Sequence, residues 1–129
     1  MIVLDTHVWI WWVGEDARLA HAHAAAIAAE QDVGVSAISC WEVAKLVALG
    51  RLELDRPVRE WLAHALADYG CRVLPLTPEV AVAATTLPGD FHRDPADQII
   101  VATARVWGCP LLTVDRKLLD YPHVETPRP

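Results

Sequence analysis

Met1-Ile2-Val3-Leu4-Asp5-Thr6-His7 opens the chain with three branched aliphatic residues and then, without a break, an acid and a hydroxyl residue. A short continuous apolar run suits a strand buried on both faces, as in a parallel sheet. The acid marks the point where that strand leaves the core. The same pattern returns late in the chain as Leu111-Leu112-Thr113-Val114-Asp115. Between the two, short apolar runs alternate with stretches of helical period. That order predicts an α/β fold with a central, mainly parallel sheet of four to five short strands.

Working outward, residues 2–5 are predicted as the first strand, with Thr6 capping a short helix through Trp12. An Ala-rich helix is expected over 17–30 and a brief strand from Val33 to Ser36. Ser39-Cys40-Trp41-Glu42 has the S-x-x-E form of a capping box, which predicts a helix from about 40 to 49 ended by Gly50. Pro57 suits a first helical position and Gly70 a stop. Between them Val58, Trp61, Leu62, Ala65, Leu66 and Tyr69 recur at the spacing of an amphipathic helix. A third strand is expected from Arg72 to Leu76, and a helix from Thr77-Pro78 through about Leu87. Asp94-Pro95-Ala96-Asp97 opens an apolar helix to Trp107, closed by Gly108 and Pro110. The fourth strand is placed at 111–114, with a turn of helix from Arg116. His123 to Glu125 is expected as a last edge strand in an otherwise irregular tail, 121–129. The whole chain, 1–129, is expected to form a single domain.

The hydrophobic fraction, 53%, supports a core and is too high for disorder. No apolar run approaches the roughly 20 residues that span a bilayer. The N-terminus lacks a basic region followed by a long apolar stretch, so a cytoplasmic protein is expected. Cys40, Cys71 and Cys109 form no C-x-x-C pair, which disfavours a zinc site or a disulfide framework and leaves buried free thiols. The net charge of −6 lacks the basic footprint of a general nucleic-acid binder. That objection is partial, because acids that bind metal are neutralised locally and an acidic surface suits a basic partner. Trp9, Trp11 and Trp12 crowd one short helix, more indole than one small core accepts. At least one is expected at a protein interface, such as a homodimer contact.

Four acids stand apart: Asp5, Glu42, Asp97 and Asp115 each lie at the edge of an apolar segment. In open α/β sheets, ligands bind beyond the carboxyl ends of the strands. Asp5 and Asp115 occupy that edge if their strands are parallel. Glu42 and Asp97 lie in first turns of helices on the same edge, where helix N-termini favour carboxylates and phosphates. Carboxylates packed together repel and need a cation to stay ionised. Oxygen ligands suit Mg²⁺ or Mn²⁺, which points to metal-assisted hydrolysis of a phosphodiester. Each acid also has a purely structural explanation. Asp5 and Asp115 suit turns or caps, and Glu42 suits the capping box. Asp94 suits an N-cap with Pro95 at the first helical position, which frees Asp97 to face the pocket. Lys45, one turn after Glu42, is expected to pair with it. Arg93, beside His92, is a candidate phosphate contact, and Arg116 and Lys117 are candidates for steering a polyanion.

Leu4-Asp5-Thr6-His7, Ser36-Ala37-Ile38-Ser39-Cys40-Trp41-Glu42-Val43-Ala44, His92-Arg93-Asp94-Pro95-Ala96-Asp97 and Leu112-Thr113-Val114-Asp115 together carry a resemblance. In order, spacing and total length they resemble a PIN-domain ribonuclease, specifically a VapC-type toxin of a bacterial toxin–antitoxin pair. The resemblance covers nearly the whole chain. It implies a Rossmann-like α/β/α sandwich, divalent-metal-dependent RNA cleavage and an antitoxin that blocks the site. Asp5, Glu42, Asp97 and Asp115 match the family's acidic quartet. Thr6 and Thr113 fall where the family often has hydroxyl residues near the metal. On this reading Asp5 and Asp97 hold one or two Mg²⁺ or Mn²⁺ ions, with Asp94 a further possible ligand. Glu42 and Asp115 complete the shell or orient the attacking, metal-activated water. An antitoxin groove becomes a second destination for the crowded tryptophans. Two other classes compete: a PIN-like protein that binds a partner without catalysis, and a receiver-like signalling module. The second requires a phosphorylatable Asp at a central strand end, and Asp55 lies outside a convincing strand.

Overall fold

Ile2, Val3 and Leu4 are almost completely buried, because their strand runs through the middle of the sheet. The structure is a computed structural model that describes all of residues 1–129. Its elements, in chain order, are β1 (Ile2–Leu4), α1 (Thr6–Val13), α2 (His21–Ala28), β2 (Val33–Ser36), α3 (Ala37–Ala48), α4 (Val58–Ala67), β3 (Cys71–Leu74), α5 (Pro78–Thr85), α6 (Pro95–Trp107), β4 (Leu111–Leu112) and α7 (Arg116–Leu119). The four strands are all parallel, in the order β3-β2-β1-β4.

Alternation along β1 divides the core in two. Ile2 and Leu4 join Val33, Val35, Val8, Trp9, Ile27, Val43 and Trp61 on the side covered by α1 to α4. Val3 joins Leu74, Ile100, Val101, Ala104 and Leu118 on the side of α6 and α7, with α5 packed on α6 through Val80, Ala84 and Ala102. Two helical layers on one parallel sheet make the expected α/β/α sandwich. Gly34 allows β2 its close approach to β3, since a Cβ there would lie 3.0 Å from Leu74 Cδ1. No helix is long and apolar enough to cross a membrane.

Several boundaries differ from expectation, each for a local reason. Asp5, not Thr6, is the N-cap of α1, so β1 ends at Leu4. The helix expected over 17–30 shortens to α2, because the Asp16 carboxylate accepts from Arg18 N at 2.8 Å and holds that stretch in a turn. Ser39 and Glu42 do not form a capping box: α3 starts earlier, with Ser36 as N-cap, and both residues lie inside the helix. β4 is cut to two residues, where Thr113 turns its hydroxyl towards Asp5. His123 to Glu125 form no edge strand. Leu111 N donates to Glu125 O, but Pro122 and Pro127 flank the segment and remove ladder donors. Asp55 sits in a loop, bound to Arg56.

Of the crowded tryptophans, only Trp9 enters the core, edge-on to Trp61 at 5.2 Å. Trp12 is half-buried against Tyr69, and Trp11 lies half-buried under the Arg18 guanidinium. All three cysteines are free thiols; Cys71 is buried and the other two are half-buried.

Candidate active site

The strand order places a switch point between β1 and β4. From β1 the chain moves outward to β2 and β3, then returns to the opposite side as β4. Crevices at the carboxyl end of such a point are the usual ligand sites of open α/β sheets. Asp5 closes β1 at this position and is 7% exposed. Its Oδ1 accepts from Thr6 N at 2.9 Å, and its Oδ2 accepts from the Thr113 hydroxyl at 2.7 Å, across the crevice. Thr113 Oγ1 in turn accepts from Asp115 N at 3.0 Å, which ties the Asp115 backbone to the same network.

Glu42 arrives from α3. Thr6 Oγ1 donates to Glu42 Oε1 at 2.6 Å and lies 2.8 Å from Ser39 Oγ. With Thr6 donating to the carboxylate, Ser39 is the donor to Thr6. A line of groups thus runs Asp115, Thr113, Asp5, Thr6, Glu42. Lys45 is exposed and forms no ion pair with Glu42, contrary to expectation; Thr6 takes that place.

Asp97 arrives from the first turn of α6. Asp94 is the N-cap, accepting from Ala96 N and Asp97 N at 2.9 and 3.2 Å, and Pro95 holds the first helical position. The cap duty falls on Asp94, so the Asp97 side chain is free. Its Oδ2 lies 2.7 Å from His92 Nε2, and His92 stacks on Phe91. His92 is therefore a neighbour of the acid. Asp115 is the N-cap of α7, accepting from Lys117 N. Arg93 and Arg116 are exposed and paired to none of these acids.

The acids feel one another. Burial pushes the Asp5 carboxyl above its usual range, against the lowering effect of Thr113 and Thr6 N, and Asp97 pushes in the same direction as burial. Glu42 is raised by burial first, offset by the Thr6 hydroxyl, then raised further by Asp5, Asp97 and Asp94. Asp97 is raised by burial, offset by His92, and raised again by Asp94 and Asp115. No Lys or Arg pairs with this group; its one ion-pair partner is the His92 imidazole beside Asp97.

Such a donor set fits a hard divalent cation: it consists of carboxylate and hydroxyl oxygens, with no thiolate. No three side chains converge into a preformed cage.

Ser39 and His92 are contacts that the sequence reading missed in these roles. Ser39 precedes Glu42 by one helical turn, a spacing that in sequence reads equally as a capping box.

The family model described as PIN domain matches residues 2–124. The chain belongs to the PIN-domain family. It is 42% identical to Ribonuclease VapC22 of Mycobacterium tuberculosis (strain ATCC 25618 / H37Rv) over 128 residues, 99% of this chain and 95% of that protein. Among solved structures, its fold resembles a chain of VapBC2 from Rickettsia felis, crystallised bound to a DNA fragment from their promoter. The TM-score is 0.72 at 14% identity, with 98% of each chain covered. It also resembles a chain of a toxin–antitoxin complex from Klebsiella pneumoniae, with a TM-score of 0.69 at 20% identity, covering 99% of this chain and 98% of that one. The parallel sheet with helices on both faces is thus the PIN-domain fold.

Proposed function

We propose that this PIN-domain protein is a divalent-metal-dependent endoribonuclease, the toxin of a toxin–antitoxin pair. Asp5 carries the reading: a buried carboxylate at the sheet switch point, facing Asp97 and Glu42, with no Lys or Arg paired to it. Burying a carboxylate without a partner is costly, and a bound cation removes that cost. The identity with a ribonuclease over nearly the full chain supports RNA as the substrate.

Asp5 and Asp97 would hold Mg²⁺ or Mn²⁺, with Glu42, Asp115 and Asp94 within the same acidic group. When bound, the ion supplies Lewis-acid stabilisation of charge building on the phosphate and lowers the pKa of water. The chain's own residues then set orientation. Thr113 and Thr6 N fix both oxygens of Asp5. Ser39 and Thr6 fix one oxygen of Glu42 and leave the other for a water. Asp94 fixes the turn that presents Asp97. Water is the nucleophile, so no Ser, Cys or His nucleophile is required. Arg93 and Arg116, exposed and without an ion pair, would meet phosphates of the RNA.

The same acidic pocket would accept a basic side chain of an antitoxin, and the toxin–antitoxin assembly of a structural relative supports such a partner. A homodimer and a cytoplasmic setting, where cellular RNA lies, belong to the same proposal.

The test is to incubate purified, antitoxin-free protein with cellular RNA in Mg²⁺ or Mn²⁺ and map the ends produced. Discrete cuts lost both in EDTA and in the Asp97→Asn variant are expected. Cuts that persist in that variant would move the site elsewhere. Absence of both cutting and metal binding would leave the non-catalytic partner-binding reading.

A further inference from the structure

Trp41 is 56% exposed, on a helix where a polar residue would serve solubility better. It lies beside Glu42 on α3. Ile38, Trp41 and Glu42 fall at i, i+3 and i+4, so they share one helical face. Opposite them stand Asp94, Pro95 and Ala96 at the start of α6, and the six residues line an open hollow of about 530 Å³. That size lies within the roughly 300–1,000 Å³ of small-molecule sites. The hollow shares Glu42 and Asp94 with the acidic site, so whatever occupies it is continuous with a phosphodiester bound there.

The charge distribution narrows the occupant. Net charge is −6, and the acids of the site have no paired Lys or Arg. Only Arg93 and Arg116, next to Asp94 and Asp115 in the chain, offer a polyanion positive charge at these acids, so it must be held partly through neutral groups. Stacking of bases on aromatic rings is such an attraction, and it tolerates any base. RNA sequence is read mostly where bases are unpaired and free to splay out. We propose that Trp41, backed by Ile38 and Pro95, is a base-binding subsite that stacks one unpaired nucleobase of the RNA next to the phosphodiester that is cut. This inference rests on the ribonuclease reading of the neighbouring acids.

The experiment combines Trp41→Ala and Trp41→Phe with an RNA carrying an abasic site at each position around the cut. In the wild type, one abasic position should lower kcat/KM by about 5- to 100-fold, the range of base–aromatic stacking. Trp41→Ala should show a similar loss on intact RNA, chiefly through KM, and no further loss at that position. Trp41→Phe should recover most of the activity. Thermal unfolding of both variants should match the wild type, because the indole is exposed. Trp41→Ala with kcat/KM within twofold of wild type, or with undiminished abasic sensitivity, overturns the subsite. So does a loss confined to antitoxin affinity, which would assign the shelf to a protein partner. If the wild type cuts no RNA, the ribonuclease reading fails on its own. The shelf is then judged by fluorescence anisotropy of a labelled unpaired oligoribonucleotide in Mg²⁺. Binding at least 5-fold weaker in Trp41→Ala upholds it, and equal or absent binding in both proteins overturns it.

Discussion

Asp5 combines three roles in one carboxylate: it ends β1, caps α1 through Thr6 N, and accepts from Thr113 across the crevice. These roles separate chemically. Asn keeps an oxygen able to cap but loses the charge, whereas Ala loses both. Asp5→Asn should therefore fold at least as stably as the metal-free wild type at neutral pH while cleavage disappears. Asp5→Ala should be destabilised by about 1–3 kcal/mol, from the lost cap and the Thr113 hydroxyl left without its acceptor. Urea unfolding and RNA cleavage of the two variants distinguish the roles; an Asn variant that still cuts would show that the charge is not needed. Thr6 invites a different measurement. Its hydroxyl is the contact that lowers the proton affinity of Glu42, against burial and three neighbouring acids. Thr6→Val removes it, so Glu42 should hold its proton to higher pH. The acid limb of the pH–rate profile should move upward, with activity recovering in part at alkaline pH. An unmoved limb, with activity merely scaled down, would make Thr6 a packing residue only.

Local signals do not settle where a helix begins, and α3 illustrates why. The S-x-x-E pattern at Ser39 and Glu42 is chemically sound, yet the helix starts from Ser36, whose side chain accepts from Ile38 N at 3.3 Å. Tertiary contacts decide the matter: Ser39 and Glu42 are both drawn to Thr6 on α1, a partner 33 and 36 residues away that no local pattern reveals. Ser36→Ala should cost about 1 kcal/mol of stability, as loss of an N-cap does. Ser39→Ala should spare the helix start and act on cleavage by loosening Thr6. If Ser39 were the cap, the two outcomes would be exchanged. Burial made the strands of Ile2–Leu4 and Val33–Ser36 legible, and local backbone chemistry made the stop at Gly108 and the cap at Asp94 legible. Lost from view were features set by particular side-chain partners, near or far, that no hydropathy period marks. The turn of Thr113 towards Asp5 shortens β4, His92 reaches Asp97, and flanking prolines keep His123 to Glu125 out of the sheet.

For the whole molecule, one parallel sheet with its switch point beside Asp5 gathers acids from four separate stretches of chain at a single edge. That concentration sets how stability should depend on pH. Asp5, Glu42 and Asp97 all have folded-state pKa values above their usual ones, chiefly through burial. Well below pH 4 these groups are protonated in folded and unfolded chains alike and contribute nothing. As pH rises, the unfolded chain releases its protons first, so the folded state binds more protons and loses stability until the raised pKa values are passed. The metal-free protein therefore carries more of this penalty at pH 7 than at pH 5. Below pH 4 the sign reverses: Asp16, held down at about 2 by Arg18, and Asp55, held low by Arg56, lose their ion pairs. Metal-free protein should therefore be more stable at pH 5 than at pH 7. Millimolar Mg²⁺ should raise Tm more at pH 7 than at pH 5, because protons compete with it more strongly for carboxylates of raised pKa at the lower pH. Asp97→Asn should flatten both the pH dependence and the Mg²⁺ response, while substitution of Asp16 should change neither between pH 5 and 7. Calorimetry in EDTA and in Mg²⁺ reads all four. A Tm in EDTA that climbs steadily from pH 5 to 7, or an Mg²⁺ increment equal at the two pH values, would mean that the acids are not strained against one another and that the sheet edge is not a cation site.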